Sequence, residues 1–98
     1  MLIRIVDMQF TTEGCEPFLT VFNASREKIA AFPGCLHLKL LRDKDNPCRM
    51  MTYSHWDSAE SLENYRQSDL FRQTWAKTKI HFARKANAAS FDCLSESR

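Results

Sequence analysis

The chain has 98 residues, a length typical of one compact domain. Hydrophobic residues make up 44% and charged residues 27%, which is the globular range and excludes a disordered chain. The formal net charge of +2 is too small to favour a nucleic acid or an anionic membrane as a partner. No apolar run approaches the roughly 20 residues of a membrane-spanning helix, so no membrane partner is expected.

The four cysteines show no metal-binding or secretory pattern. None forms a CxxC pair, and no histidine lies at zinc-ligand spacing from one. The N-terminal segment MLIRIVDMQF carries charges and lacks a small-residue cleavage site, so it predicts a strand and not a signal peptide. We therefore expect a cytoplasmic protein with reduced thiols, no metal and no cofactor.

The first half of the chain predicts a strand, a helix and a second strand. Residues 2–10 alternate with period two, and residues 35–43 do the same. Between them, from Cys15 to Phe32, apolar residues recur at three and four positions, and Pro33 ends this helix. The helical stripe consists of Phe18, Phe22, Ser25, Ile29 and Phe32.

The second half predicts a strand, a helical region and a final strand. Residues 49–56 form the third strand, and Asp57 or Ser58 caps the helical region that follows. Ser68-Asp69 indicates a second cap or a bend within that region, and residues 88–94 form the last strand. We expect one domain over residues 1–94 and a C-terminal tail over residues 95–98.

The order strand–helix–strand–strand–helix–strand predicts an α+β, ferredoxin-like βαββαβ fold with a four-stranded antiparallel sheet. No third layer remains to cover the second face of this sheet, and we expect a second copy to cover it in a homodimer. The residues expected to face the helices are Ile3, Ile5, Leu36, Leu38 and Leu40. Those expected on the other face are Val6, Met8, Phe10, Leu41, Met51, Tyr53 and His55.

Asp7 is the candidate acid or base. It continues the Ile3–Ile5 face, so it is expected to point toward the helices, where a carboxylate lines a pocket or is solvated at the strand end. His37 and His55 are expected to meet on one sheet face, in a polar contact at the dimer interface more readily than in a metal pair.

Large rings and hydroxyls are the candidates for ligand contact. Tyr65 and Trp75 stand almost three helical turns apart and either line a pocket for a flat organic molecule or pack in the core. Thr52 and Ser54 supply hydroxyls from the sheet floor. The phenyl rings expected to line the same pocket are Phe22 and Phe71.

Three segments resemble the antibiotic biosynthesis monooxygenase family of the dimeric α/β-barrel superfamily. They are FPGCLHLKLLRD, TYSHW and ESLENYRQSDLFRQTW, the last with the S-(D/E)-x-F box at residues 68–71. The resemblance implies a homodimer whose two sheets pack into a barrel, with a pocket between sheet and helices in each subunit. Some members oxidise quinols or polycyclic aromatics with dioxygen and without metal or flavin.

By this resemblance Asp7 takes the substrate proton, while Tyr65 and Trp75 hold the ring or the oxygenated intermediate. Quinol-oxidising members often carry histidine at the positions of Tyr65 and Leu70, where this chain departs from them. Members that cleave haem bind iron through a histidine at the position of Trp75, so that reaction is not expected here.

Two hypotheses of different classes follow. The first is a cofactor-independent monooxygenase that oxidises a small aromatic substrate, quinol-like or polyketide-like, with dioxygen. The alternative is a non-catalytic dimeric module of the same fold that binds a small ligand, because fold alone does not determine function.

Overall fold

A computed structural model describes residues 1–98, and it confirms the predicted order of elements with one refinement. The second helical region divides at Ser68 into two helices, and the last strand ends at Asp92. The elements in chain order are β1 (Leu2–Gln9), α1 (Cys15–Ala30), β2 (Cys35–Arg42), β3 (Arg49–Trp56), α2 (Ala59–Arg66), α3 (Asp69–Lys79) and β4 (Asn87–Asp92).

The four strands form one antiparallel sheet in the order β2-β3-β1-β4, as the ferredoxin-like topology requires. The register sets Met8 opposite Met50 and Asp7 opposite Met51. On the other side of β3, Leu38 lies opposite Ser54 and His37 opposite His55. Because side chains alternate along a strand, this register decides which residues share each face of the sheet.

The helices cover the face that carries Met8 and Met50, called here the helix-side face. These two methionines and Phe10 form the buried core together with Phe18 and Phe22 of α1. The rings of Phe10 and Phe18 stack with their centroids 4.1 Å apart. Leu38 and Leu40 pack against this core, as predicted.

The predicted orientation of β1 was wrong. Val6, Met8 and Phe10 face the helices, whereas Ile3 and Ile5 lie on the opposite, open face. Both sets of alternate residues in β1 contain apolar residues, but the open-face set ends in Asp7 and Gln9, which keep polar partners there. The set that stays apolar to the strand end therefore enters the core.

Leu36 also departs from its predicted position. The pairing of β2 with β3 shifts between Cys35 and His37, and Leu36 is 54% exposed in this irregularity. After the shift, alternation resumes, which places His37 and His55 on the open face with their rings 5.9 Å apart. The prediction that these two histidines share a sheet face is confirmed.

None of the three helices combines the length and the apolar character needed to cross a membrane.

Candidate functional site

A cavity of about 280 Å³ lies between the helix-side face of the sheet and the helices. Its volume is near the lower end of small-molecule pockets, which run from roughly 300 to 1,000 Å³. Twelve of its 18 lining residues are hydrophobic, so the site suits an apolar ring more than a highly hydrated metabolite. Six of the seven residues predicted as a site line it: Phe22, Thr52, Ser54, Tyr65, Phe71 and Trp75.

Four aromatic rings form a continuous wall of this cavity. Trp56 stacks on Tyr65 with centroids 5.1 Å apart, and Phe71 meets Tyr65 edge-on at 5.3 Å. Phe71 in turn stacks near Trp75, with centroids 5.9 Å apart and planes within 10°. Ring pairs in these geometries stabilise one another, so the wall is preorganised for a planar ligand.

Ser68 places these rings by separating α2 from α3. Its hydroxyl oxygen accepts a hydrogen bond from the Phe71 backbone N–H at 3.1 Å, which caps α3. The same hydroxyl donates to the Tyr65 carbonyl oxygen at 2.6 Å, which closes the end of α2. One serine therefore sets the angle between the helix that carries Tyr65 and the helix that carries Trp75.

Ser58, and not Asp57, caps α2. Its side-chain oxygen accepts from the Ser61 backbone N–H at 3.1 Å. The two alternatives that the sequence left open are thereby resolved, and α2 is anchored at both ends by serine hydroxyls.

The floor of the cavity carries hydroxyls on β3. Ser54 accepts a hydrogen bond from Trp56 Nε1 at 3.0 Å, and both side chains are buried. This hydrogen bond gives the buried indole N–H a partner and holds the indole ring against Tyr65. Thr52 lies two residues earlier on the same face and also lines the cavity.

Tyr65 presents a neutral phenol to the cavity. Burial, with a smaller contribution from Cys35, raises the pKa of Tyr65 to about 12. The hydroxyl is therefore protonated at neutral pH and available as a hydrogen-bond donor. No fully buried side-chain nitrogen or oxygen lacks a hydrogen-bond partner, and the Tyr65 hydroxyl bonds to no other side chain, so its oxygen is not fully buried.

Asp7 does not line the cavity, which corrects its predicted position. It lies on the open face, where its carboxylate accepts two hydrogen bonds from Arg49, at 2.9 and 3.2 Å. Arg84 approaches the same carboxylate at 3.7 Å, and Asp43 binds Arg49 at 2.9 Å. This ion network raises the pKa of Arg49, and the hydrogen bonds that Arg49 donates to Asp7 are the largest cause. The predicted position of Asp7 was wrong because the predicted orientation of β1 was wrong.

Among the lining residues that sequence reasoning missed are two charged side chains and a tryptophan: Arg4, Arg66 and Trp56. The available signal was Arg4 itself, a charge within the apolar alternation of an N-terminal strand. No aspartate, glutamate or histidine lines the cavity, and no group of three metal-ligating side chains is arranged to hold a metal ion.

The split βαβ sheet and the mostly apolar cavity beneath its helices define a ferredoxin-like α+β domain. The family model described as antibiotic biosynthesis monooxygenase matches residues 1–77. The chain therefore belongs to the antibiotic biosynthesis monooxygenase family, as its sequence resemblance predicted.

Solved structures agree with this assignment at the level of the fold. One antibiotic biosynthesis monooxygenase superposes with a TM-score of 0.91 at 19% identity, over 97% of this chain and 100% of that chain. Rv0793 from Mycobacterium tuberculosis superposes at 0.90 and 15% identity, over 99% and 98% of the two chains. PA3566 from Pseudomonas aeruginosa superposes at 0.85 and 16% identity, over 96% and 94%. No curated protein matches the sequence significantly.

Proposed function

We propose that this protein is a cofactor-independent monooxygenase that oxidises a small aromatic substrate with dioxygen. The observation that carries the proposal is the cavity of about 280 Å³, walled by aromatic rings and closed by the helices. Family membership supports the same reaction class. The substrate class that fits is a quinol-like or polyketide-like aromatic ring system. In the anthrone type, conjugation with the carbonyl of the same ring makes a methylene acidic.

The substrate itself is the reductant in this reaction. Its methylene loses a proton to solvent, because no carboxylate or imidazole lines the cavity to accept it. The resulting enolate carbon gives electrons to dioxygen and forms a C–O bond. The peroxide takes up a proton from solvent. The remaining C–H bond of the same carbon then loses its proton as the O–O bond breaks, so that one oxygen stays as a carbonyl in the product and the other leaves as water. Methylene plus dioxygen thus gives carbonyl plus water, with all atoms and electrons accounted for.

The side chains of the cavity bind, orient and shield the ring. Trp75 and Phe71 contact its faces, and the Tyr65 hydroxyl donates a hydrogen bond to the substrate oxygen that gains charge as the enolate forms. Thr52 offers a second hydroxyl from the sheet floor. The apolar aromatic walls lower the local dielectric and so strengthen these electrostatic interactions.

Oxygen consumption with an anthrone-type substrate tests the proposal. We expect uptake above the uncatalysed rate, with one labelled oxygen atom from ¹⁸O₂ in the product carbonyl. Tyr65→Phe should lower the rate about 10²-fold, the usual effect of losing one such hydrogen-bond donor. Arg72→Gln, on the exposed surface of α3, is the control and should leave the rate unchanged.

Uptake that equals the uncatalysed rate, in a protein that still binds the ring, would reject the monooxygenase. That result would instead support the alternative, a binding module of the same fold.

We also propose that a second copy covers the open face of the sheet. This face carries Ile3 and Ile5 beside Met51 and Tyr53, and Leu41 and Phe91 are 45% and 49% exposed there. A patch of this kind is uncommon on a monomer. Leu41→Glu places a charge in the patch and should shift the mass measured by light scattering from dimer to monomer. A monomeric wild-type protein at micromolar concentration would reject the dimer.

A further inference from the structure

Arg4 is a charged residue on the helix-side face of an inner strand. β1 lies between β3 and β4, and Arg4 pairs in register with Ser54 and Ser90. Its guanidinium donates to Ser90 Oγ at 3.0 Å, and none of the ion pairs of the protein includes it. Partial burial of a guanidinium without a carboxylate partner is unfavourable, because the lost hydration is not replaced by an opposite charge.

Arg66 brings a second positive charge to the same cavity. Its own ion pair, with Glu63 at 3.3 Å, is of the i,i+3 type, and both side chains are about half exposed. Such surface pairs are weak, and Glu63 is also engaged by Gln67 at 2.8 Å. Burial and the nearby Arg66 lower the pKa of Arg4, whereas Glu63 raises it. The two guanidinium groups thus repel each other, and Glu63, which pairs with Arg66 but does not line the cavity, offsets this repulsion only in part.

The remaining surface of the cavity is apolar and aromatic. A cleft of one charge sign with low-dielectric walls concentrates the opposite charge. Arginine presents paired N–H donors whose spacing matches the two oxygens of a carboxylate. The aromatic wall that contains Tyr65 and Trp75 presents ring faces and edges to a planar molecule.

We propose that the cavity binds a planar aromatic carboxylate, with its carboxylate held by Arg4 and Arg66 and its ring against Tyr65 and Trp75. This inference rests on the cavity of the proposed function and narrows its substrate class to ring systems that carry an acid group. The carboxylate replaces the counter-ion that Arg4 lacks within the chain.

Two probes of the same shape separate charge from ring recognition. Naphthoate carries a carboxylate, and naphthamide replaces it with a neutral amide. Titration calorimetry of the full chain at low ionic strength should show naphthoate binding at least tenfold more tightly. The preference should shrink as salt is added, because screening weakens the attraction between separated charges.

Variants of the two arginines test whether these residues cause the preference for naphthoate over naphthamide. Arg4→Gln and Arg66→Gln should each weaken naphthoate binding about tenfold, equivalent to about 1.4 kcal/mol. Both should leave naphthamide binding within about twofold. Arg72→Gln is the matched control, since Arg72 forms the same i,i+3 type of pair with Asp69 but does not line the cavity.

Arg66→Gln keeps the test decisive if Arg4→Gln does not fold, because Arg66 is half exposed. Equal affinities for the two probes, no naphthoate binding, or an equal loss in Arg72→Gln and Arg66→Gln would each overturn the inference. The outcome is distinguishable from that of the proposed function, because binding is measured without oxygen uptake. Fast oxidation of neutral rings with no preference for acids would reject only the aromatic carboxylate.

Discussion

Gly34 lies against the first turn of α2, and the loss of stability in Gly34→Ala measures how closely the two are packed. Gly34 adopts a φ of +90°, and its carbonyl oxygen accepts the Asp57 N–H at 2.9 Å. A Cβ atom here would lie 2.3 Å from Cβ and Oγ of Ser61, on the first turn of α2. The left-handed backbone costs an L-residue about 1–2 kcal/mol, and overpacking costs about 1–3 kcal/mol. A more restricted unfolded chain returns about 0.4–1 kcal/mol, which leaves a net destabilisation of about 1–4.6 kcal/mol.

Urea unfolding of Gly34→Ala, alone and combined with Ser61→Gly, separates the two costs. Ser61→Gly removes the two nearest atoms that the new methyl group would meet and leaves Asp57 Oδ1 at 2.9 Å. The cost of Gly34→Ala should therefore fall toward its backbone part, about 1–2 kcal/mol less the same return of about 0.4–1 kcal/mol. Naphthoate affinity should fall with Gly34→Ala, because Ser61 lies one turn before Tyr65. An identical cost of Gly34→Ala in both backgrounds would refute the predicted clash. A cost below about 1 kcal/mol for Gly34→Ala in the otherwise unchanged chain would refute the strained backbone.

Three further predictions concern the cavity and its supports. Since burial raises the pKa of Tyr65 from 10 to about 12, the unfolded chain ionises first as pH rises. The free energy of unfolding should therefore fall by about 2–3 kcal/mol over that interval relative to Tyr65→Phe, measured by urea at each pH; parallel curves would contradict this. Ser68→Ala removes the cap of α3 and should cost about 1–2 kcal/mol in the same assay, whereas no change would exclude the cap. Asp7→Asn should weaken the open-face ion network but leave naphthoate affinity and oxygen uptake unchanged; loss of either would place Asp7 in the site.

The elements of the fold were predictable because each carries a local signal. The stripe Phe18, Phe22 and Ile29 has helical spacing, and all three residues are buried on α1. The strands 35–43 and 49–56 were predicted within one residue of their observed bounds. Serine residues at 58 and 68 mark helix starts by chemistry that depends only on neighbouring backbone N–H groups.

The candidate site was predictable where it depended on β3 and the later helices. Thr52 and Ser54 share the strand face that ends in Trp56, and this face meets the helices as expected. Phe71 and Trp75 lie four residues apart on one helix, so their proximity follows from helical geometry.

The orientation of β1 was not predictable from its own residues, and the errors at Asp7 and Arg4 follow from it. Both faces of the strand begin with apolar residues, so alternation reveals two faces without saying which one is covered. Pairing with β3 decided the orientation of β1, because Met8 and Met50 share the face that the helices cover.

The sequence by itself determined the kind and order of the elements, since helical period, strand alternation and capping are local properties of the chain. Only the tertiary structure decided that Asp7 faces away from the cavity and that Arg4 faces into it. The physical reason is that a strand rotated by one residue exchanges its two faces, and the choice depends on the summed packing of residues distant in sequence.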